Sequence, residues 1–283
     1  MNTQTIELHG RCVFWTLPEI LDEAPVFSAF EGAGVSELMP PHLRPKTAMR
    51  RALKEHFPHD YRVEHVTSFD GFHVLQKHED SNGKLSFPHR LTAFAIRMPE
   101  TTDMVVIGRD NSPVGDHSND AQIADIEQQY RLLRKSVTSG ALGGALVSVT
   151  ERLKGIPLRP SGGFYWIPQA SIPTWEILAA GIQAAGGTLY SLTTGVDPLS
   201  VETLCAALEA KVQSELAQLD SALRDRSPGK RGLRTLQSRA LEVNDLITTY
   251  QKLLGKTHDG ILEQAADMEG EIAVALMAAE SEA

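Results

Sequence analysis

DAQIADIEQQYRLLRKSVTSGALGGALVSVTERLKGIPLRPSGGFYWIP (residues 120–168) is the stretch on which the reading of the fold turns. Ile123, Ile126, Tyr130 and Leu133 recur at steps of three, four and three. That is one stripe of a 3.6-residue period, so the spacing predicts a helix. Arg131, Arg134 and Lys135 lie near its end, where cations suit the negative pole of the helix dipole. Thr138-Ser139-Gly140 supplies capping hydroxyls and a break. A second helix follows, with Leu142, Leu146, Val149 and Leu153 turned inward. Gly143 and Gly144 cost it about 1 kcal/mol each against alanine, which points either to close approach of another backbone or to a frayed first turn. Leu158-Arg159-Pro160 and Phe164-Tyr165-Trp166-Ile167 then read as two strands. Between them stands Ser161-Gly162-Gly163, a turn suited to positive φ.

Strand alternation places Phe164 with Trp166 on one face of the hairpin and Tyr165 with Ile167 on the other. Two arrangements are open. Either one face presents a large side chain beside Arg159, a pairing frequent at binding hot spots, or both faces are covered, one by the preceding helix and one by the helix that carries Trp175. Helix, turn, helix and hairpin is also the order of a winged helix-turn-helix. On that reading Arg131, Arg134, Lys135, Arg152, Lys154 and Arg159 are the nucleic-acid contacts, with the hairpin on phosphate. The helix that would enter the groove begins Ala141-Leu142-Gly143-Gly144, which offers few side chains to base edges.

Outward from this centre, residues 1–110 read as an α+β region. Arg11 to Trp15 is a short strand, and Pro18 to Phe30 a helix around Ile20, Leu21, Val26, Phe27 and Phe30, broken at Pro25. Pro45 stands where a helix-starting proline belongs, with a basic helix from Lys46 to Phe57. From Tyr61 the period switches to two. Arg62–Val66, Gly71–Lys77, Leu91–Met98 and Met104–Gly108 are expected as an antiparallel meander, with a turn at Asp80–Gly83. The polar stretch 110–119 is the linker into a central winged-helix-like unit, 119–196. That unit is completed by a helix from Trp175 to Ala185 and a strand from Thr188 to Thr194.

Residues 198–283 change character. Leu204, Leu208, Val212, Leu216, Leu219 and Leu223 mark one helix face, interrupted by Ser227-Pro228-Gly229. Leu233, Leu236, Ala240, Val243, Ile247, Tyr250 and Leu254 then alternate steps of three and four, an a/d seam of coiled-coil type. An acidic third segment repeats the helical spacing at Ile261, Ala265, Met268 and Ile272. The fold class expected is therefore α+β: a mixed, largely antiparallel sheet body with a central helix-turn-helix-hairpin and a C-terminal long-helix hairpin.

Composition is that of a globular protein: 42% hydrophobic and 22% charged over 283 residues. No apolar run approaches the length of a membrane-spanning helix, and the first residues lack a secretion signal. Two cysteines, Cys12 and Cys205, are too few for a disulfide framework or zinc cluster, so a cytoplasmic setting is expected. The net charge of −9 disfavours general nucleic-acid binding. No Walker loop, dinucleotide fingerprint, nucleophile elbow or zincin helix occurs. Seven of the ten histidines lie between Pro41 and Arg90, without carboxylates at ligand spacing. No catalytic residue, metal ligand or cofactor is assigned.

IPLRPSGGFYWIP, PPHLRPKTAMRRALKEH and TYQKLLG together make the chain resemble an uncharacterised family found in bacteria and their phages and plasmids. The resemblance covers most of the chain and implies a phage, plasmid or defence setting, with no activity to carry over. The reading expected is a non-enzymatic assembly or adaptor protein, self-associating as a homo-oligomer or docking a protein partner through its C-terminal helices. Arg159, Tyr165, Trp166, Val243, Ile247 and Tyr250 are its interaction residues. The alternatives are a nucleic-acid-associated regulator using the central unit and an enzyme with an unrecognised hydrolytic site.

Overall fold

The computed structural model describes residues 10–57, 61–66, 71–79, 84–96, 104–107, 121–159, 162–194, 197–225 and 228–281. The protein is α+β, with small antiparallel sheets and long C-terminal helices. It divides into two compact units, one of residues 17–145 and 181–187, the other of residues 1–16, 146–180 and 188–283.

In the unit built mainly from 17–145, β2 (Ile20–Asp22) pairs antiparallel with β7 (Ser136–Thr138). The helix expected from Pro18 therefore starts later, as α1 (Glu23–Gly32). Asp22 caps it by accepting the Ala24 N–H at 3.0 Å. Pro25 falls in its first turn, where a missing N–H costs nothing, and does not break it. Helix α2 (Pro45–His56) begins at the proline as expected and buries Ala48, Met49, Ala52 and Leu53. Helix α3 (Ala121–Arg134) buries Ile126, Tyr130 and Leu133 against the same core, which Phe72 and Val74 of the neighbouring sheet join.

That sheet is the expected meander, in the order β3 (Tyr61–Val66), β4 (Gly71–Glu79), β5 (Leu85–Ile96), β6 (Met104–Ile107). Strand β5 starts earlier than its alternation implied. It runs through Pro88, and its register against β4 shifts between His89 and Ser86, since a residue without an N–H cannot hold a regular ladder; a further shift falls at Leu91. The Asp80–Gly83 turn and the 110–119 linker lie outside the described residues.

The other unit is a four-stranded antiparallel sheet beside three long helices. The strand order is β10 (Thr188–Thr193), β1 (Gly10–Thr16), β9 (Tyr165–Pro168), β8 (Ile156–Pro157). The N-terminal strand thus stands between two strands of the expected 119–196 unit, which does not hold together as a domain. Its first part, α3, β7 and the start of α4 (Ser139–Arg152), belongs with residues 17–145, because β7 completes a ladder with β2 and α3 packs on the α2 core. Its hairpin joins β1.

The C-terminal region is α6 (Pro198–Asp225), α7 (Lys230–Leu254) and α8 (Asp259–Ser281). The three share one core, in which Leu208, Val212, Leu219, Ile247, Tyr250, Leu254 and Ile272 are fully buried. Gly255, at φ 61, terminates α7 in the left-handed conformation that glycine adopts without penalty. Ion pairs run along the bundle: Arg239–Glu215 at 2.8 Å joins α7 to α6, Arg234–Glu280 at 3.1 Å joins α7 to α8, and Lys211–Glu151 at 3.2 Å joins α6 to the end of α4. Partly exposed pairs of this kind contribute about 0–1 kcal/mol each, so the apolar core and not the charge lattice holds the bundle.

Candidate functional site

The sheet of β10, β1, β9 and β8 gathers the aromatic residues of its unit. The β8–β9 hairpin pairs Ile156 with Trp166 and Pro157 with Tyr165, and the Leu158 N–H donates to the Phe164 carbonyl at 2.9 Å. The first strand of the hairpin therefore lies two residues earlier than Leu158–Pro160. The glycines meet their expectation, with φ 93 at Gly162 and 62 at Gly163. A Cβ on Gly163 would also come within 3.1 Å of the Trp15 ring.

Register assigns the two faces. Cys12 lies opposite Trp166 and Leu192, Phe14 opposite Tyr190; Val13 lies opposite Tyr165 and Ser191, Arg11 opposite Ile167 and Thr193. Directly opposed residues share a face. One face thus carries Cys12, Phe14, Phe164, Trp166, Tyr190 and Leu192, the other Arg11, Val13, Trp15, Tyr165 and Ile167.

At β9 both faces are covered. Trp166 is fully buried and meets Tyr250 of α7 edge-on, with ring centroids 5.7 Å apart. Its Nε1–H donates to Thr194 Oγ1 at 3.0 Å, and that hydroxyl donates to the Gly10 carbonyl at 3.0 Å. A buried indole is thereby satisfied by a relay that joins three strands. On the reverse face Tyr165 stacks on Trp15, with centroids 5.8 Å apart and planes 6° from parallel, and Trp15 packs in turn on the buried Trp175 of α5 (Ile172–Ala184). Burial raises the Tyr165 pKa, and the Glu151 carboxylate adds to the shift. Ile167 is fully buried, and the close approach of Gly155 puts it beside the end of α4. The helix over Trp166 is thus α7, not the preceding helix.

The expected interaction residues fall apart under this geometry. Arg159 is exposed, but its guanidinium donates to the Gly162 carbonyl and braces the hairpin loop. Trp166, Val243, Ile247 and Tyr250 are core. The residues at the a/d spacing are buried, and they pack with α6 and α8 of the same chain. Tyr250 also fixes the hairpin to α7, its hydroxyl donating to the Lys154 carbonyl at 2.8 Å. Lys154 itself sits at φ 59 and pairs with Asp245.

The basic residues are divided between the two units. Arg131, Arg134 and Lys135 belong to the unit of 17–145, Arg152, Lys154 and Arg159 to the other. Arg131 pairs with Glu127 at 2.7 Å, and Arg134 donates to the Leu43 carbonyl at 2.7 Å. Arg152 and Lys135 are exposed. Burial raises the pKa of both thiols, Cys12 and Cys205, the reverse of what an activated nucleophile needs. No cluster of three or more metal-ligating side chains occurs among the described residues, and no helix among them is long and apolar enough to cross a membrane.

What sequence reasoning missed is the uncovered part of the Trp166 face. Phe14 stacks on Tyr190 with centroids 4.5 Å apart and planes 11° from parallel, and meets Phe164 at 5.8 Å. Tyr190 is 40% and Leu192 55% exposed. The alternation in Cys12–Trp15 and Thr188–Thr193 carried the signal; only the pairing of β1 with β10 puts the two together. On the helices, Val274 and Met277, one turn apart on α8, are each 63% exposed, and Leu241 of α7 is 50% exposed.

Fold and surface thus define an α+β protein with a half-covered aromatic sheet and a three-helix bundle that shares its core with that sheet. The chain belongs to a family of unknown function, DUF6744, whose model matches residues 8–281. No curated protein and no solved structure matches it.

Proposed function

We propose that this is a non-enzymatic assembly or adaptor protein whose C-terminal helices dock a protein partner or a second copy, in a phage, plasmid or defence setting. One observation carries the reading. The bundle buries its seam within the chain and still leaves Val274 and Met277 exposed together on α8. A helix whose inner face is satisfied has no folding reason to keep large apolar side chains in water, and such exposure marks interaction surfaces. The acidic residues of the same helix, Glu263, Asp267, Glu269 and Glu271, favour a basic partner surface through complementarity and steering. The contact is therefore on the outside of the bundle, and Val243, Ile247 and Tyr250 support it from within.

The test is Val274→Asp combined with Met277→Asp, compared with wild type by light scattering and by pull-down from native cells. Both sites are exposed, so the melting temperature should hold within a few degrees. Loss of self-association or of a captured partner supports the reading. Unchanged mass together with unchanged capture refutes it.

A further inference from the structure

The free edge of β10 is the feature that no part of this reading uses. β10 is an outer strand of its sheet, and no strand among the described residues pairs with its far side. Which backbone groups it leaves open follows from one bond. The Thr194 N–H donates to the Gly10 carbonyl, so Gly10 and Thr194 form a hydrogen-bonded pair of the antiparallel ladder. Such pairs alternate along the strands. Leu192, Tyr190 and Thr188 therefore bond inward to β1, while Leu189, Ser191 and Thr193 direct N–H and C=O outward.

Natural sheets blunt such edges with charges, prolines, bulges or very short strands. Thr188-Leu189-Tyr190-Ser191-Leu192-Thr193 has no charge and no proline, and its register with β1 is regular throughout. Ser191 and Thr193 are exposed.

We infer that β10 pairs antiparallel with β10 of a second copy of this chain, on a two-fold axis through Ser191. Three independent features fit that register. Centring on Ser191 opposes Ser191 to itself and Leu189 to Thr193 of the other copy, which are the residues whose backbone groups point outward. The same axis is perpendicular to the sheet and keeps faces matched. Tyr190 then lies opposite Leu192 of the other copy in a non-hydrogen-bonded pair, where side chains approach most closely. The two exposed apolar side chains of the edge thus cover one another, and the Phe14–Tyr190 shelves of the two copies join across an eight-stranded sheet. Charge does not oppose it. The strand itself carries no charge, and the cation beside the axis, Arg11, whose guanidinium donates to the Ser191 hydroxyl at 3.5 Å, is paired with Glu176 at 2.7 Å.

The area sets the strength. A stable dimer buries about 800 Å² per partner, and one six-residue edge with two large side chains offers less. The dimer is therefore weak and reversible, forming at high local concentration. It uses a different surface from α8 and does not rest on the α8 contact.

The test is sedimentation velocity on the full chain over a concentration series. Wild type should show a fast monomer–dimer equilibrium. Ser191→Pro removes an outward N–H, sparing every bond to β1, and should weaken the dimer about tenfold or more at an unchanged melting temperature. Leu192→Lys puts a charge on the same edge without touching the backbone and serves if the proline variant unfolds. Ser191→Cys supplies the register. Opposed hydrogen-bonded residues have Cα atoms about 5.5 Å apart, within disulfide range, so mild oxidation should give a covalent dimer. Thr193→Cys, with the same native thiols, should not.

Wild type that stays monomeric at every concentration overturns the inference. So does a dimer that Ser191→Pro and Leu192→Lys both leave intact. If that dimer is instead lost on Val274→Asp with Met277→Asp, the α8 reading stands and the edge pairing fails; the reverse pattern leaves the edge pairing standing alone.

Discussion

Tyr250→Phe isolates the contact that ties the hairpin to α7. The hydroxyl donates to the Lys154 carbonyl at 2.8 Å, and the ring is fully buried against Trp166. A neutral hydrogen bond contributes about 1 kcal/mol net, whereas an acceptor left buried without a partner costs about 1–3 kcal/mol. The second figure governs here, because phenylalanine fills the space and offers nothing in return. Lys154 raises the stake. A non-glycine residue in the left-handed region carries about 1–2 kcal/mol of strain, and its carbonyl bond to Tyr250 helps to hold it there. The variant should lose about 1–3 kcal/mol near pH 7.

A second signature separates this bond from simple loss of packing. Burial holds the Tyr250 hydroxyl well above the ordinary phenol range. The folded protein therefore keeps that proton after the unfolded chain has released it. Wild-type stability from this group is fully present below about pH 10 and falls above it by about 1.4 kcal/mol per pH unit. Tyr250→Phe has no such group and no such slope, so the gap between the proteins narrows above pH 10. The raised Tyr165 is common to both and cancels. Urea titrations followed by tryptophan fluorescence suit the measurement, since Trp15, Trp166 and Trp175 all belong to the unit that contains α7. Equal stabilities at neutral pH, or parallel slopes in alkali, would refute the reasoning.

Val243→Asp and Ile247→Asp each put a charge into the bundle core with no partner, and should cost about 3–5 kcal/mol; a melting curve that keeps the native midpoint would contradict the burial of the seam. Gly163→Val faces both a positive φ and the Trp15 ring, so it should destabilise by about 1–3 kcal/mol in the same fluorescence assay. Mobility-shift assays at about 50 mM salt should show no complex of the wild type with DNA or RNA. Should one form, and should replacing Arg152, Lys154 and Arg159 flatten its salt slope by about three, the nucleic-acid reading replaces the adaptor.

Local periodicity was enough for α2, α3, α4 and the three long helices, because each buries one stripe whose residues lie close in sequence. Alternation sufficed for the meander. It failed where long-range pairing overrode local pattern. Ile20 and Leu21 fit a helix as well as a strand, and only β7, more than a hundred residues on, decides between them. The seam through Val243, Ile247 and Tyr250 was legible as a seam, but spacing alone does not say whether a second chain or α6 and α8 will fill it. Arg159 and Tyr165 stood out by composition. Trp15 and Tyr190, which build the sheet around them, lie in distant segments whose partnership no local window contains.

The place of β1 has a consequence for how the chain is made. It leaves the ribosome before every other strand of its sheet, yet it is an inner strand, flanked by β9 and β10. It cannot be paired on both sides until Thr193 has been synthesised. Translation proceeds at about 5–20 residues per second, so Cys12-Val13-Phe14-Trp15 waits on the order of ten to thirty seconds with its backbone and aromatic rings unmatched. Most of the 17–145 unit emerges in that interval and has time to fold. Strand β1 is therefore among the last pieces of its sheet to be locked in, and through that wait the nascent chain presents it to aggregation and to chaperones.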